Sequence, residues 1–122
     1  MAKHLETGKK GEALAVNFLQ KNGFDILETN WRFRKLEVDI IAKEKDVLVF
    51  VEVKTRSTDF FGHPEEFVDP VKEKHLAKAA AEYMALIKHD WAIRFDVVAI
   101  VLKNHNEWDL KHIKDAFFPG LE

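Results

Sequence analysis

Two apolar segments, LEVDIIA (residues 36–42) and DVLVFVEVKTR (residues 46–56), flank the polar link KEKD. Each is short and rich in Val, Ile, Leu or Phe, and a short polar connection between such runs suits a β-hairpin. This pair constrains the fold most, because charge intrudes where a strand should be apolar. Side chains alternate across a strand. Glu52 and Lys54 therefore share a face with Phe50 and Arg56, while Val49, Val51 and Val53 take the other. In the partner strand, Glu37 and Asp39 share a face with Ile41, and Val38 and Ile40 face opposite. A turn centred near Lys45 brings Asp39 and Glu52 across from each other, and directly opposed Cβ atoms in an antiparallel pair lie roughly 5 Å apart.

Two carboxylates that close repel, so a proton, a bound cation or a lysine must relieve them. Hard oxygen ligands suit Mg²⁺ or Mn²⁺. A sheet surface carrying Asp39, Glu52 and Lys54 is thus a candidate metal site. The same residues also fit a solvated polar face with cross-strand ion pairs, and alternation alone does not separate the two.

The first helix adds a third carboxylate. Residues Thr7 to Asn22 carry Leu14, Ala15, Phe18 and Leu19 at helical spacing, and Gly23 closes the segment. At 100° per residue, Glu12 falls inside the apolar arc, between Leu19 and Val16, and is expected to point towards the sheet. A carboxylate aimed there needs a partner or a cation; its position near the positive end of the helix is the plainer account. Gly11 beside it leaves room for another backbone or a ligand.

The remaining chain alternates regularly. FDILETNWRF (24–33) reads as a strand, and residues 57–68 as a loop broken by Gly62 and Pro64. Asp69 and Pro70 start a second helix running to about His89, as N-cap and first helical residue. WAIRFDVVAIVL (91–102) reads as a strongly apolar, central strand, and WDLKHI (108–113) as the last one. The order is α-β-β-β-α-β-β, a single α/β domain over residues 1–122 with a mixed sheet flanked by helices. The tail AFFPGLE is expected to pack on the body or on a second subunit.

Net charge is −2, which gives no global pull towards nucleic acid. The sign is uneven: residues 1–35 hold seven basic and four acidic side chains, and residues 36–68 hold four basic and eight acidic. No apolar run approaches the ~20 residues of a membrane span, and the first residues, MAKHLETGKKGE, lack the apolar core expected of a secretion signal. The sequence has no cysteine, hence no disulfide or thiolate chemistry. The expected location is cytoplasmic, away from membranes. The six histidines show no ligand spacing, and Trp31, Trp91 and Trp108 are expected to pack. Phe60 and Phe61, adjacent in a Gly/Pro loop, suit either packing or contact with DNA or a second subunit.

The segments GKKGEALAVNFLQKNGFDILETNWRF, EVDIIA, LVFVEVKTR, FGHPEEFVDPVKEKHLAKAAAEYM and RFDVVAIV, in that order over nearly the whole chain, resemble the YraN family of bacterial proteins. That family is similar to the restriction-endonuclease-like fold and the PD-(D/E)xK nucleases, with Holliday junction resolvases among the nearer relatives. The resemblance implies that Asp39 is the first acidic residue of the motif and that Glu52, Val53 and Lys54 are its ExK triplet. Glu12 takes the place of the helical glutamate of the resolvase-like branch. One departure is visible: Val38, not proline, precedes Asp39.

The implied activity is divalent-metal-dependent hydrolysis of DNA phosphodiesters, with branched DNA as one substrate class and Mg²⁺ or Mn²⁺ as cofactor. Asp39 and Glu52, with the Val53 carbonyl, would be the metal ligands. Glu12 would serve a second metal or orient a water, and Lys54 would act on the attacking water or the transition state. Arg56, Lys72, Arg32 and Arg34 are candidate substrate contacts. Resolvase-like proteins work as dimers, so a homodimer is one candidate assembly. Two other readings stand beside the nuclease: a non-catalytic nucleic-acid-binding module, and a structural protein that keeps the fold.

Overall fold

The computed structural model describes residues 2–57, 69–104 and 106–117, with side chains from Thr7 onwards. Helix α1 (Ala2–Lys21) leads into strands β1 (Phe24–Phe33), β2 (Leu36–Glu44) and β3 (Val47–Arg56). Helix α2 (Pro70–Ile87), β4 (Ile93–Asn104) and β5 (Glu107–Ile113) follow. The expected order and class, an α/β fold with a mixed sheet, are borne out.

Helix α1 begins five residues before the expected Thr7. Residues 2–6 contain Ala, Lys, Leu and Glu, all good helix formers, and nothing there stops the helix. Its end is the expected one: Gly23 sits at φ 89, and the Asn22 side chain donates to the Phe18 carbonyl at 2.7 Å. Helix α2 begins where Asp69 and Pro70 place it, with the Asp69 side chain accepting from the Lys72 N–H at 2.8 Å.

The five strands lie in chain order, β1-β2-β3-β4-β5. Every neighbouring pair is antiparallel except β3 and β4, which α2 connects as a crossover. The middle strand is therefore β3, not the more apolar β4. A hairpin sets β2 on one side of β3 and the crossover sets β4 on the other. Strand β4 is still interior, and its apolar run reflects covering on both faces.

One helix covers each face. Ala15 and Leu19 of α1 pack with Ile40, Ala42, Val49, Val51, Val98 and Ile100, and Val53 adds to this cluster. Leu76, Ala79, Ala80 and Tyr83 of α2 pack with Val38, Ile41, Leu48, Phe50 and Phe95. Alternation in β3 thus holds as read. In β2 it does not: Val38, expected beside Ile40, joins Ile41 under α2. Asn30, the β1 residue between the Thr29↔Ile40 and Trp31↔Val38 pairs, has φ 51. That left-handed residue interrupts the regular pleat of the ladder beside β2.

Asp96 is fully buried in β4, yet charged. Arg94 donates to it twice, at 2.8 and 2.9 Å, His112 lies 2.8 Å away and the Asp115 N–H donates at 3.0 Å. Burial alone would raise its pKa; the hydrogen bonds from Arg94, His112 and Asp115 outweigh that and hold it at about 2. Trp31 packs edge-on against Tyr83 as expected, whereas Trp91 and Trp108 are 51% and 42% exposed. Phe117 of the tail stacks on Phe95 at 5.4 Å. Phe60 and Phe61 lie outside the described residues. Among the described residues no helix is long and apolar enough to cross a membrane.

Candidate functional site

The hairpin turn falls at Lys45 and Asp46, with Glu44 opposite Val47. Counting back along that register, the last ladder pair is Ile40↔Val51. The next position sets Asp39 opposite Glu52, as the sequence implied. There the backbone ladder gives way to a side chain: the Val53 N–H donates to Asp39 Oδ2 at 2.8 Å. A strand N–H that has lost its carbonyl partner is thus satisfied by a carboxylate.

Where β2 and β3 part, a pocket of about 310 Å³ opens. Asp39, Glu52, Val53, Lys54 and Arg56 line it from the hairpin, and Thr7, Gly8 and Glu12 line it from α1. All four residues expected to do chemistry, Glu12, Asp39, Glu52 and Lys54, border this one cavity. Gly11 explains how the helix comes so near. A Cβ there would stand 2.9 Å from Thr55 Cβ and collide with its hydroxyl. The neighbour that needs the space is thus a β3 side chain, not a backbone or a ligand.

Asp39 and Glu52 lie close enough for each to shift the other's titration. Glu52 is only 4% exposed, and burial, then the charge of Asp39, pushes its pKa up to about 7 despite Lys72 and Lys54. Burial also raises Asp39, although the Val53 N–H and Lys72 pull it down. The pair therefore holds a proton more readily than two solvated carboxylates would. Glu52 Oε2 is buried and has no hydrogen-bond partner among the described residues. Among the described residues its ion-pair partner is Lys72, whose Nζ lies 3.6 Å away, beyond hydrogen-bond length.

Glu12 stands on the α1 wall, part-buried, with its pKa raised by burial and by the charges of Asp39 and Glu37, while a hydrogen bond with Asn30 opposes the shift. Among the described residues, no three His, Cys, Asp or Glu side chains form a ready ligand group. Asp39 and Glu52 are a pair, and Glu12 stands on the α1 side of the pocket. The donor set nonetheless fits a hard divalent ion: carboxylate oxygens, one of them buried and unbonded, in a cavity with room for water.

Of the expected substrate contacts, Arg56 lines the pocket and is exposed, and Lys72 faces Glu52. Arg32 and Arg34 stand apart from that lining, on edge strand β1 and the turn after it. Arg32 pairs with Glu37 at 2.9 Å, and Arg34 lies over the Phe33 ring at 5.3 Å. Asn30, which lowers the pKa of Glu12 against the effect of burial, belongs to no chemical motif in the sequence. Its one signal is an asparagine within a strand, a residue that fits strands poorly and tolerates positive φ.

A family profile described as "Uncharacterised protein family UPF0102" matches residues 11–100. The chain is 52% identical over 118 residues to a UPF0102 protein of Flavobacterium psychrophilum, covering 97% of this chain and 98% of that one. It is 46% identical over 121 residues to a UPF0102 protein of Bacteroides thetaiotaomicron, covering 99% of each. A UPF0102 protein of Geotalea daltonii is 49% identical over 111 residues, covering 90% of this chain and 87% of its own.

Proposed function

The chain belongs to UPF0102, the YraN family, and from that premise we propose a divalent-metal-dependent nuclease that hydrolyses DNA phosphodiesters, branched DNA included. The observation that carries this reading is the buried, unbonded Glu52 Oε2 beside Asp39, where both line a pocket of about 310 Å³. An apolar pair of the same shape would cost less than two coupled carboxylates, so the arrangement suits a ligand that neutralises them.

Asp39 and Glu52 would hold Mg²⁺ or Mn²⁺, with the Val53 carbonyl as a further oxygen. When bound there, such an ion would relieve charge at the phosphate and lower the pKa of a water. Lys54, one strand repeat beyond Glu52, orients the attacking water and stabilises negative charge on the phosphate oxygens. Glu12, on the opposite wall, accepts the proton that leaves the water; burial has raised its pKa towards that role. Arg56 at the pocket mouth holds a neighbouring phosphate. A homodimer would present two such pockets to two strands.

The test is a cleavage assay on linear, single-stranded, flapped and four-way DNA, with Mn²⁺ or with chelator. The parent should cut only with metal, and Lys54→Ala should lose cutting by at least a hundredfold while melting like the parent. Salt-sensitive DNA binding that persists in chelator, without cleavage under any condition, would instead support the non-catalytic binding module.

A further inference from the structure

Lys72 approaches the carboxylate pair from the first turn of α2. Its backbone is fixed, since its N–H is bonded to the Asp69 cap at 2.8 Å. Its ammonium stops 3.6 Å from Glu52 Oε2, and the side chain keeps 36% of its surface exposed. A lysine has three donors on a flexible stem and can close to about 2.8 Å on an anion. Here it neutralises the oxygen without bonding it, and it retains a path to solvent. Its charge reaches Asp39 as well as Glu52.

We propose that Lys72 is a displaceable counter-cation: it compensates the Asp39–Glu52 pair when no metal is bound, and turns out onto a phosphate of the nucleic acid when a divalent ion takes Glu52 Oε2. This rests on the metal-site reading above and goes further, because it makes metal binding and phosphate binding exchange a single ammonium. A divalent ion on Glu52 Oε2 would stand within a few ångströms of an ammonium held 3.6 Å from the same oxygen, and the two like charges repel. Lys72 must therefore compete with the metal, and the metal must free Lys72 for the substrate. Removing Lys72 also strengthens the hold of the pair on its proton. A divalent ion carries twice the charge of a proton, so the metal still gains more.

The test is calorimetric titration of Mg²⁺ into the metal-free full chain at pH 8, for the parent, Lys72→Met, Lys72→Gln and Lys72→Arg. Competition predicts that the two uncharged variants bind Mg²⁺ about tenfold tighter and that the arginine variant matches the parent. Chelator-treated melts confirm that each variant folds. A second readout is the salt dependence of four-way DNA binding in a Lys54→Ala background, where no strand is cut. With Mg²⁺, adding Lys72→Met should lower the slope of log affinity against log salt by about one; in chelator it should not change the slope.

Unchanged or weaker Mg²⁺ affinity in both Lys72→Met and Lys72→Gln overturns the proposal, as does the absence of Mg²⁺ binding in every protein. Cleavage is scored separately. Tighter metal binding in variants of a parent that cuts no DNA supports the displaceable lysine and removes the nuclease. Unchanged metal affinity in a parent that does cut DNA does the reverse.

Discussion

The backbone N–H of Val53 donates to Asp39 Oδ2 at 2.8 Å, one position beyond the last ladder pair of β2 and β3. A single carboxylate therefore closes the end of a β-ladder and forms half of the candidate site. Those two tasks can be separated by substitution.

Asp39→Asn keeps an oxygen for the Val53 N–H and removes the charge beside Glu52. In chelator at pH 8 its stability to urea should equal or exceed that of the parent, while Mg²⁺ binding is lost. Asp39→Ala leaves the N–H without an acceptor and should cost about 1–3 kcal/mol. Equal stability of the two variants would show that the hydrogen bond contributes nothing.

Glu52 gives a pH signature in the metal-free protein. Its pKa rises from 4.5 unfolded to about 7 folded, so the folded state holds more protons between those values. Stability must then fall as pH rises through that window, by on the order of 3 kcal/mol. Glu52→Gln should flatten the curve and be more stable than the parent at pH 8. Urea titrations from pH 4 to 8 in chelator measure this, and a parent whose stability does not fall over that range contradicts the burial argument.

Asp96 gives the opposite sign. Its pKa drops from 3.8 to about 2 on folding, so its contribution is complete above pH 3.8 and is lost as pH falls towards 2. Asp96→Asn should lose about 2–3 kcal/mol at pH 7 and show a smaller acid-induced loss than the parent. The acid limb of the stability curve, followed by circular dichroism for both proteins, tests it.

Gly11 and Thr55 should couple. Within a helix, Gly→Ala ordinarily stabilises by about 0.5–1 kcal/mol. Gly11→Ala should instead destabilise, because the new methyl meets the Thr55 side chain. Paired with Thr55→Gly, the same change should recover its ordinary favourable sign. A double-mutant cycle reads the coupling directly, and additive values would mean that α1 can shift away from β3 at little cost.

Much of this molecule was legible in short-range pattern. Period-two alternation placed Val49, Val51 and Val53 on one face of β3, and Phe50 and Glu52 on the other. The hairpin count set Asp39 opposite Glu52, and helical spacing turned Glu12 inward. Asp69, Pro70 and Gly23 marked helix ends by their own backbone chemistry. These signals survive because each depends on neighbours a few residues away, or on one turn of known length.

The family likeness, not the spacing, supplied the idea of a nuclease. What the sequence determined unaided was a set of strands and helices in order, with three carboxylates and a lysine out of place on apolar faces. What only the tertiary structure decided was where the ladder stops, which neighbours each charge meets, and how deeply it is buried. Val38 under α2, Asn30 against Glu12 and Lys72 stopping short of Glu52 all depend on elements distant in the chain. Their positions follow from how two helices and five strands exclude water together, a property no local window contains.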